Sequence, residues 1–255
     1  ADPILYPMDP FAPMEVQSMP PRPQDEAGML AKVREHVRTV LEDQPHDVSL
    51  AVGQPIAAIL SAAREQTADL IVMGTHLRYG WRRALLGSVS EGVLHGSECP
   101  VLTVADHDRF VGETPYAVAN ILCPINFSDV ARESVYVAAR VAQAFHARLT
   151  IVHIVEDDAM MNAGAHEERI RTWISPELRD ICSYREVVAR GKPAERVLDC
   201  AEDLAADLVV IGAQHKQFRD TTVLGATTER VIRLASSPVL IVPRESSISV
   251  RGNSG

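Results

Sequence analysis

Two glycine-framed loops contain the residues whose types and spacing best suit chemistry. One runs from Gly74 to Gly87-Ser88, and the other runs from Gly212 to Gly225. Each loop follows a short apolar run and precedes an amphipathic one, which predicts a β-strand leading into a helix N-terminus. Free backbone N–H groups and the helix dipole at such a terminus favour an anion such as phosphate. Glycines that only form the turns of a strand-to-helix crossover give the same pattern, so the loops alone leave both interpretations open.

The two loops belong to an internal repeat that must position them. Glycine, proline and aspartate residues recur at a constant offset of 138 residues, which indicates two copies of one supersecondary unit. The pairs are Gly53/Gly191, Pro55/Pro193, Asp69/Asp207, Gly74/Gly212, Gly87/Gly225 and Pro100/Pro238. Asp69 and Asp207 stand beside strands and are predicted to be cap or turn residues.

The second copy predicts strands that alternate with helices. The predicted strands are 121–125, 148–155, 183–189, 208–211 and 239–242. The predicted helices are 129–145 with Ser128 as N-cap, 166–179 with a break at Ser175-Pro176, 193–204, and 227–234. The all-apolar run 208–211 is typical of a parallel strand covered on both faces. The fold class is therefore predicted as α/β, with two repeated, doubly wound, open parallel sheets.

The first copy contains only the later elements of this unit. Strands are predicted at 48–52, 70–73 and 101–104, with a helix beginning at Pro55, and a proline-rich stretch precedes residue 25. The equivalents of the first strand, first helix and second strand are missing, so we expect the natural polypeptide to begin about 50 residues earlier. The predicted domains are 1–105 and 119–244, with a linker at 106–118 and a flexible tail at 245–255.

Composition narrows the function classes. The net charge of −9 argues against a broad nucleic-acid footprint, which needs clustered Lys and Arg. Cys99, Cys123, Cys182 and Cys200 form no CxxC pair, and the histidines show no ligand spacing, so neither disulfides nor a metal site is predicted. No apolar run is long enough to cross a bilayer and no signal peptide is evident, so the predicted compartment is the cytoplasm, without a membrane partner.

The closing segments of both copies resemble universal stress protein domains. They read LIVMGTHLRYGWRRALLGSVSEGVLHGSECPVLTV and LVVIGAQHKQFRDTTVLGATTERVIRLASSPVLIV. The segment ILCPINFSDVARESVYVAARVAQAFHARLTIVHIVE is similar to the opening strand, helix and second strand of that family. The resemblance covers nearly all of the second copy and about the last two thirds of the first. It implies a tandem member with a Rossmann-like fold of the adenine-nucleotide alpha-hydrolase type.

The nucleotide-binding branch of that family has the pattern G-x2-G-x9-G-[S/T], an Asp after the first strand and a main-chain contact after the second. In the first copy the resemblance assigns Gly74, Gly87 and Ser88 to this site, and Leu77 stands in place of the middle glycine. In the second copy the resemblance assigns Gly212 and Gly225 to the site, with Asn126 at the Asp position and Val155 for the main-chain contact. His215 stands in place of the middle glycine, and Thr227 stands beside Ala226, which replaces the Ser or Thr. His215 and Lys216 either face phosphate or are solvated loop residues.

Three functions follow as hypotheses. The first is a non-catalytic stress-response regulator or scaffold with degenerate nucleotide-binding loops, whose two domains pair through the strands at 101–104 and 239–242. The second is a regulatory switch that binds ATP at the loop from Gly74 to Ser88. The third is an enzyme of the adenine-nucleotide class, for which the sequence offers no base, metal-ligand set or phosphate-binding lysine at a recognisable spacing. A homo-oligomer and an unidentified protein partner both remain open.

Overall fold

The computed structural model describes residues 23–42, 44–75, 87–105, 117–156, 163–213 and 224–244. The chain divides into two compact units, Ala1–Ala58 and Ile59–Gly255. The helices are α1 Pro23–Leu41, α2 Pro55–Glu65, α3 Ser88–Gly96, α4 Asp129–Phe145, α5 Ala163–Trp173, α6 Leu178–Ile181, α7 Pro193–Asp203 and α8 Ala226–Leu234. The strands are β1 Ile71–Thr75, β2 Val101–Ala105, β3 Asn120–Ile125, β4 Arg148–Val155, β5 Tyr184–Arg190, β6 Leu208–Gly212 and β7 Val239–Val242.

The smaller unit contains α1 and the start of α2. The sequence did not predict α1, and the strand predicted at 48–52 is wrong, because these residues form neither helix nor strand. The counterpart in the second repeat, β5, is a strand because β4 pairs with it along its length. Within the described residues of the smaller unit no strand is present to pair with 48–52, and an apolar run without a ladder partner does not form a stable strand.

The larger unit is built on one seven-stranded sheet of order β1-β2-β7-β6-β3-β4-β5. All neighbouring strands are parallel except β2 and β7, which pair antiparallel through Val101↔Ile241 and Thr103↔Val239. The Thr103 hydroxyl also donates to the Val239 carbonyl at 3.1 Å. The predicted α/β class is confirmed. The two sheets that the sequence predicts form one sheet, because the last strands of the two repeats, β2 and β7, pair with each other.

The centre of the second repeat is β3. The chain adds β4 and β5 on one side of β3, then crosses to the other side to add β6 and β7. The strand order therefore reverses between β3 and β6, where the register is Ile121↔Leu208. Connections to the neighbouring strands diverge at such a point, and a crevice opens at the carboxyl ends of the strands.

Both faces of the sheet are buried in this repeat. Leu122, Val152 and Val209 contribute to one core cluster. Their chain neighbours Ile121, Ile151 and Val210 contribute to the cluster on the opposite face, which includes α4. The all-apolar strands are thus covered on both sides, as the sequence predicts for parallel strands.

Local signals place the elements of this repeat accurately. The Ser128 hydroxyl accepts the N–H of Ala131 at 3.2 Å, which confirms the predicted N-cap of α4. Pro193 occupies the first turn of α7, and the helix break at Ser175-Pro176 separates α5 from α6. Among the described residues, no helix combines the length and apolar character that crossing a membrane requires.

Candidate functional site

A cavity of about 200 Å³ opens where the strand order reverses. Its walls come from the carboxyl ends of β3, β4 and β6 and from the first turns of α4, α7 and α8. The lining residues are Pro124, Ile125, Asn126, Ser128, Val130, Ala131, Ile154, Glu156, Pro193, Val197, Ile211, Gly212, Thr227 and Thr228. Three of the predicted site residues, Asn126, Gly212 and Thr227, therefore meet in one cavity.

Asn126 begins the turn between β3 and α4. Its side-chain oxygen accepts the Ser128 N–H at 3.2 Å and the Ser128 hydroxyl at 2.7 Å. This Asx-type turn uses the acceptor of the Asn126 amide internally, so the amide nitrogen remains to donate. Asn126 thus differs in function from an aspartate, which would offer only acceptors.

Phe127 occupies the middle of the same turn with a φ of +61°, in the left-handed region that side chains other than glycine adopt at a cost. Packing holds it there. The centroid of its ring lies 4.4 Å from the centroid of the His153 ring and 5.6 Å from that of the Trp173 ring. The Arg169 guanidinium carbon lies 4.1 Å from the same Phe127 centroid. Residues of β4 and α5 therefore fix the turn that carries Asn126 and Ser128.

His153 is partly buried behind this turn. Its Nδ1 lies 3.1 Å from the Ile125 carbonyl oxygen, so Nδ1 carries the proton and donates. Burial lowers the pKa of His153, and the nearby His166 and Arg169 lower it further, against an opposing contribution from the Ile125 hydrogen bond. His166 is buried, and the centroid of its ring lies 5.7 Å from that of the His153 ring. Neither ring nitrogen of His166 has a hydrogen-bond partner among the described residues.

The start of α8 forms the opposite wall. Gly225 is the N-cap, with an extended backbone and no side-chain cap. The Glu229 N–H bonds to the Gly225 carbonyl at 2.9 Å, so the earlier amides, those of Ala226, Thr227 and Thr228, precede the first intrahelical bond. The buried Thr228 hydroxyl donates to the Gly212 carbonyl at 3.0 Å, which ties the end of β6 to α8.

Gly212 also permits a close helix approach. A Cβ on this residue would lie 2.7 Å from Val130 Cγ1 and 3.0 Å from Ser134 Oγ. The glycine is therefore required for the packing of α4 over the end of β6, whether or not a ligand is bound.

The other predicted site residues of the second repeat are not among the described residues that line the cavity. Val155 is buried, and its carbonyl accepts the Gly191 N–H at 3.1 Å, while its neighbours Ile154 and Glu156 line the cavity. Gly225 lies at the cavity's helix as its N-cap. His215 falls outside the described residues.

The first-repeat candidates do not join this cavity. Gly74 lies in β1, Gly87 is the N-cap of α3, and Ser88 is the first residue of that helix. A Cβ on Gly74 would meet only the Val104 carbonyl, at 4.0 Å. In the described part of the sheet β1 pairs only with β2, so no strand stands beside it as β3 stands beside β6. Leu77 lies outside the described residues.

Glu156 is the cavity residue that the sequence analysis missed. It directly follows β4, and the signal that marks it is an acidic residue at the carboxyl end of a predicted parallel strand. Among the described residues, no three or more His, Cys, Asp or Glu side chains are grouped so that they could hold a metal ion. Burial raises the pKa values of the Cys123 and Cys182 thiols, which makes both groups poor nucleophiles.

The chain is similar to known proteins along most of its length. The universal stress protein family matches residues 3–105 and 118–243. Universal stress protein Rv2623 of Mycobacterium tuberculosis is 28% identical over an alignment of 244 positions, which covers 86% of this chain and 80% of that protein. Universal stress protein MJ0577 of Methanocaldococcus jannaschii is 33% identical over 75 residues, 29% of this chain and 46% of that protein.

A solved structure supports the fold independently. The crystal structure of a universal stress protein from Archaeoglobus fulgidus superposes with a TM-score of 0.67 at 26% identity, covering 87% of this chain and 81% of that one. Its likeness and the family match extend over both repeats. The chain belongs to the universal stress protein family.

Proposed function

We propose that this protein is a non-catalytic stress-response regulator that binds a nucleotide in the cavity of its second repeat. The observation that carries the proposal is the uncapped N-terminus of α8, which opens on a cavity at the point where the strand order reverses. Ligands of open α/β sheets bind at this point.

The phosphate of the ligand binds at the start of α8. The amides of residues 226–228 have no intrahelical partner, and the positive end of the helix dipole adds to their attraction for an anion. The Thr227 hydroxyl lines the cavity next to these amides. It supplies the donor that Ala226 lacks at the preceding position.

The sugar and base extend toward β3 and β4. The Asn126 amide nitrogen and the Glu156 carboxylate are the polar groups at that side of the cavity. A volume of about 200 Å³ is below the roughly 300–1,000 Å³ of sites that enclose a drug-sized ligand. The cavity thus fits the sugar and phosphate, with the base reaching further out.

The cavity residues support binding without turnover. The Ser128 hydroxyl donates to Asn126, and the Thr228 hydroxyl donates to a carbonyl, so neither is paired with a base. Among the described residues that line the cavity, Glu156 is the one ionisable residue. Hydrolysis or adenylation needs more than a single carboxylate.

The alternative, an ATP switch at the loop from Gly74 to Ser88, has weaker support. The amides at the start of α3 resemble those of α8, because Gly87 is an N-cap without a side-chain cap. However, β1 has no β3-like neighbour in the described sheet, so the wall that carries Asn126 has no counterpart there. We therefore propose the second repeat as the binding copy.

The identity of the nucleotide is part of the proposal. A universal stress protein has been solved in complex with cAMP, and a universal stress protein from Archaeoglobus fulgidus, a shorter chain than the one superposed above, in complex with dAMP. These are properties of those proteins, and the proposal for this chain rests on its own cavity. We propose adenine nucleotides as the first ligands to test, with ATP included, and the cytoplasm as the compartment. We further propose that the two domains pair within the chain and that the bound form contacts a protein partner.

Equilibrium dialysis of the full chain against AMP and ATP tests the proposal. The variant Ala226→Asp places a carboxylate at the exposed first residue of α8, and its matched control Ser88→Asp does the same in α3. An acidic residue in a first helical turn stabilises the helix, so both variants are expected to fold. We expect one nucleotide per chain, loss of binding in Ala226→Asp and retention in Ser88→Asp.

Two results would contradict the proposal. Wild-type protein that retains neither AMP nor ATP at millimolar concentration has no nucleotide site of functional affinity. Loss of binding in Ser88→Asp with retention in Ala226→Asp would instead assign the site to the first repeat and revive the alternative.

A further inference from the structure

The Glu156 carboxylate is the acidic group among the described residues that line the cavity. Glu156 follows the last residue of β4, is exposed, and lines the cavity. No ion pair or side-chain hydrogen bond joins it to another described residue. As far as the described residues are concerned, this carboxylate at the rim of the cavity is free to accept hydrogen bonds from a ligand.

The remaining polar groups of the cavity divide into satisfied and free ones. The Asn126 side-chain oxygen and the hydroxyls of Ser128 and Thr228 are used in internal hydrogen bonds. Among the described residues, the free donors are the Thr227 hydroxyl and the helix amides on the α8 side and the Asn126 amide nitrogen in the middle of the cavity. The free acceptor is the Glu156 carboxylate at the end of β4. The cavity therefore favours a ligand with an anionic end and a hydrogen-bond-donating end.

The strand order sets the distance between the donor side of the cavity at α8 and the acceptor side at Glu156. β6, which leads toward α8, and β4, which ends at Glu156, lie on opposite sides of β3. Two strand spacings amount to roughly 10 Å, which is short enough for one sugar phosphate to reach both ends. A phosphate cannot also lie at Glu156, because like charges repel.

We propose that Glu156 determines specificity for ribonucleotides by accepting hydrogen bonds from the 2′- and 3′-hydroxyls of the ribose. The inference rests on the proposed function, since it assigns a role in the same cavity. A vicinal diol presents two donors that one carboxylate accepts together, and hydrogen bonds to a charged acceptor are the stronger ones. A 2′-deoxyribonucleotide lacks one of the two donors and leaves part of the carboxylate unpaired.

The test measures affinities of the full chain for AMP and 2′-deoxy-AMP by isothermal titration calorimetry. For the wild type we expect AMP to bind roughly tenfold more tightly than 2′-deoxy-AMP. In Glu156→Ala we expect the ratio to fall to about one, mainly through weaker AMP binding. Glu156→Asp, which keeps the carboxylate on a shorter side chain, is expected to restore part of the preference.

Glu202→Gln is the matched control, because it removes an exposed carboxylate from α7 outside the cavity. It is expected to keep the wild-type ratio of affinities. A merely structural role for Glu156 would lower both affinities equally and leave their ratio unchanged, so the ratio is the decisive readout.

The outcomes separate this inference from the proposed function. If the wild type binds both nucleotides equally, or if Glu156→Ala keeps the wild-type preference, the ribose assignment is wrong and the nucleotide site stands. An equal loss of both affinities in Glu156→Ala indicates that the carboxylate acts structurally or contacts the base, and either result overturns the ribose assignment. If the wild type binds neither nucleotide, the proposed function and this inference both fail.

Discussion

Val130 lies directly over Gly212, so that a Cβ added to Gly212 would come within 2.7 Å of Val130 Cγ1. The repeat provides a natural comparison, because the same addition at Gly74 would meet only the Val104 carbonyl, at 4.0 Å. One glycine of the pair is thus required by packing, and the other is not restrained in the same way by the described residues.

Gly212→Ala is therefore expected to destabilise the protein by about 2 kcal/mol, because α4 must shift to relieve the clash. Gly74→Ala, the matched control, is expected to change the free energy of unfolding by less than about 1 kcal/mol, since an alanine fits there. Urea unfolding followed by circular dichroism measures both. Equal destabilisation by the two variants would show that helix approach is not the reason for Gly212.

Asp207 connects the starts of β3 and β6. Its Oδ2 accepts the N–H groups of Ala119 and Asn120 at 2.9 Å each. Asp207→Ala removes two charge-assisted hydrogen bonds and is expected to cost about 2 kcal/mol. Its repeat counterpart Asp69 is exposed and has no such backbone donors among the described residues, so Asp69→Ala is expected to cost less than about 0.5 kcal/mol. Comparable losses in denaturant midpoint for the two variants would refute this difference.

His153 is expected to make stability depend on acid pH. Because its pKa is lowered in the folded state, the unfolded chain binds the proton more readily. The contribution of neutral His153 to stability is complete above the unfolded pKa of about 6.5 and is lost as pH falls through the lower, folded value.

The variant His153→Gln retains a donor for the Ile125 carbonyl and is expected to flatten the loss of stability as the pH falls below about 6.5. His166 and Arg169, which face His153, remain in this variant. His146→Asn serves as the control, because His146 is exposed in a left-handed position that Asn tolerates. Denaturation at several pH values gives the slopes, and identical slopes for wild type and His153→Gln would exclude His153 as the source.

Substitutions of two adjacent threonines are expected to have different effects, one on the free energy of unfolding and the other on AMP binding. Thr228→Val leaves the Gly212 carbonyl without its donor and is expected to cost about 1 kcal/mol of stability. Thr227→Val is expected to leave stability within about 0.5 kcal/mol of wild type and to weaken AMP binding several-fold. Thermal melts and dialysis on the same preparations distinguish the two roles. Unchanged AMP affinity in Thr227→Val would remove its hydroxyl from the phosphate site.

Local signals made much of the second repeat predictable. The strand at 148–155 has the predicted bounds, Ser128 caps α4 as its type and position suggest, and Ser175-Pro176 ends a helix as the proline geometry requires. Each depends on residues close in sequence. The grouping of Asn126, Gly212 and Thr227 was implied by the resemblance to universal stress protein domains.

Features that depend on distant partners were not predictable in the same way. The run at 48–52 has strand-forming residues but no strand to pair with in the described part of its unit. The carbonyl of Val155 is taken by Gly191, and Phe127 is held in a left-handed conformation by residues of β4 and α5. Sequence periodicity carries no information on such contacts, because they are set by which elements become neighbours.

The proposed binding mode places a nucleotide phosphate at the first turn of α8. Titration of ¹⁵N-labelled protein with AMP, followed through backbone amide resonances, measures this contact residue by residue. We expect saturable downfield shifts of the amide protons of Ala226 and Thr227, with the dissociation constant found by dialysis, while those of Ser88 and Val89 remain unchanged. If AMP binds and the amide resonances of Ala226 and Thr227 do not shift, the phosphate does not bind at α8.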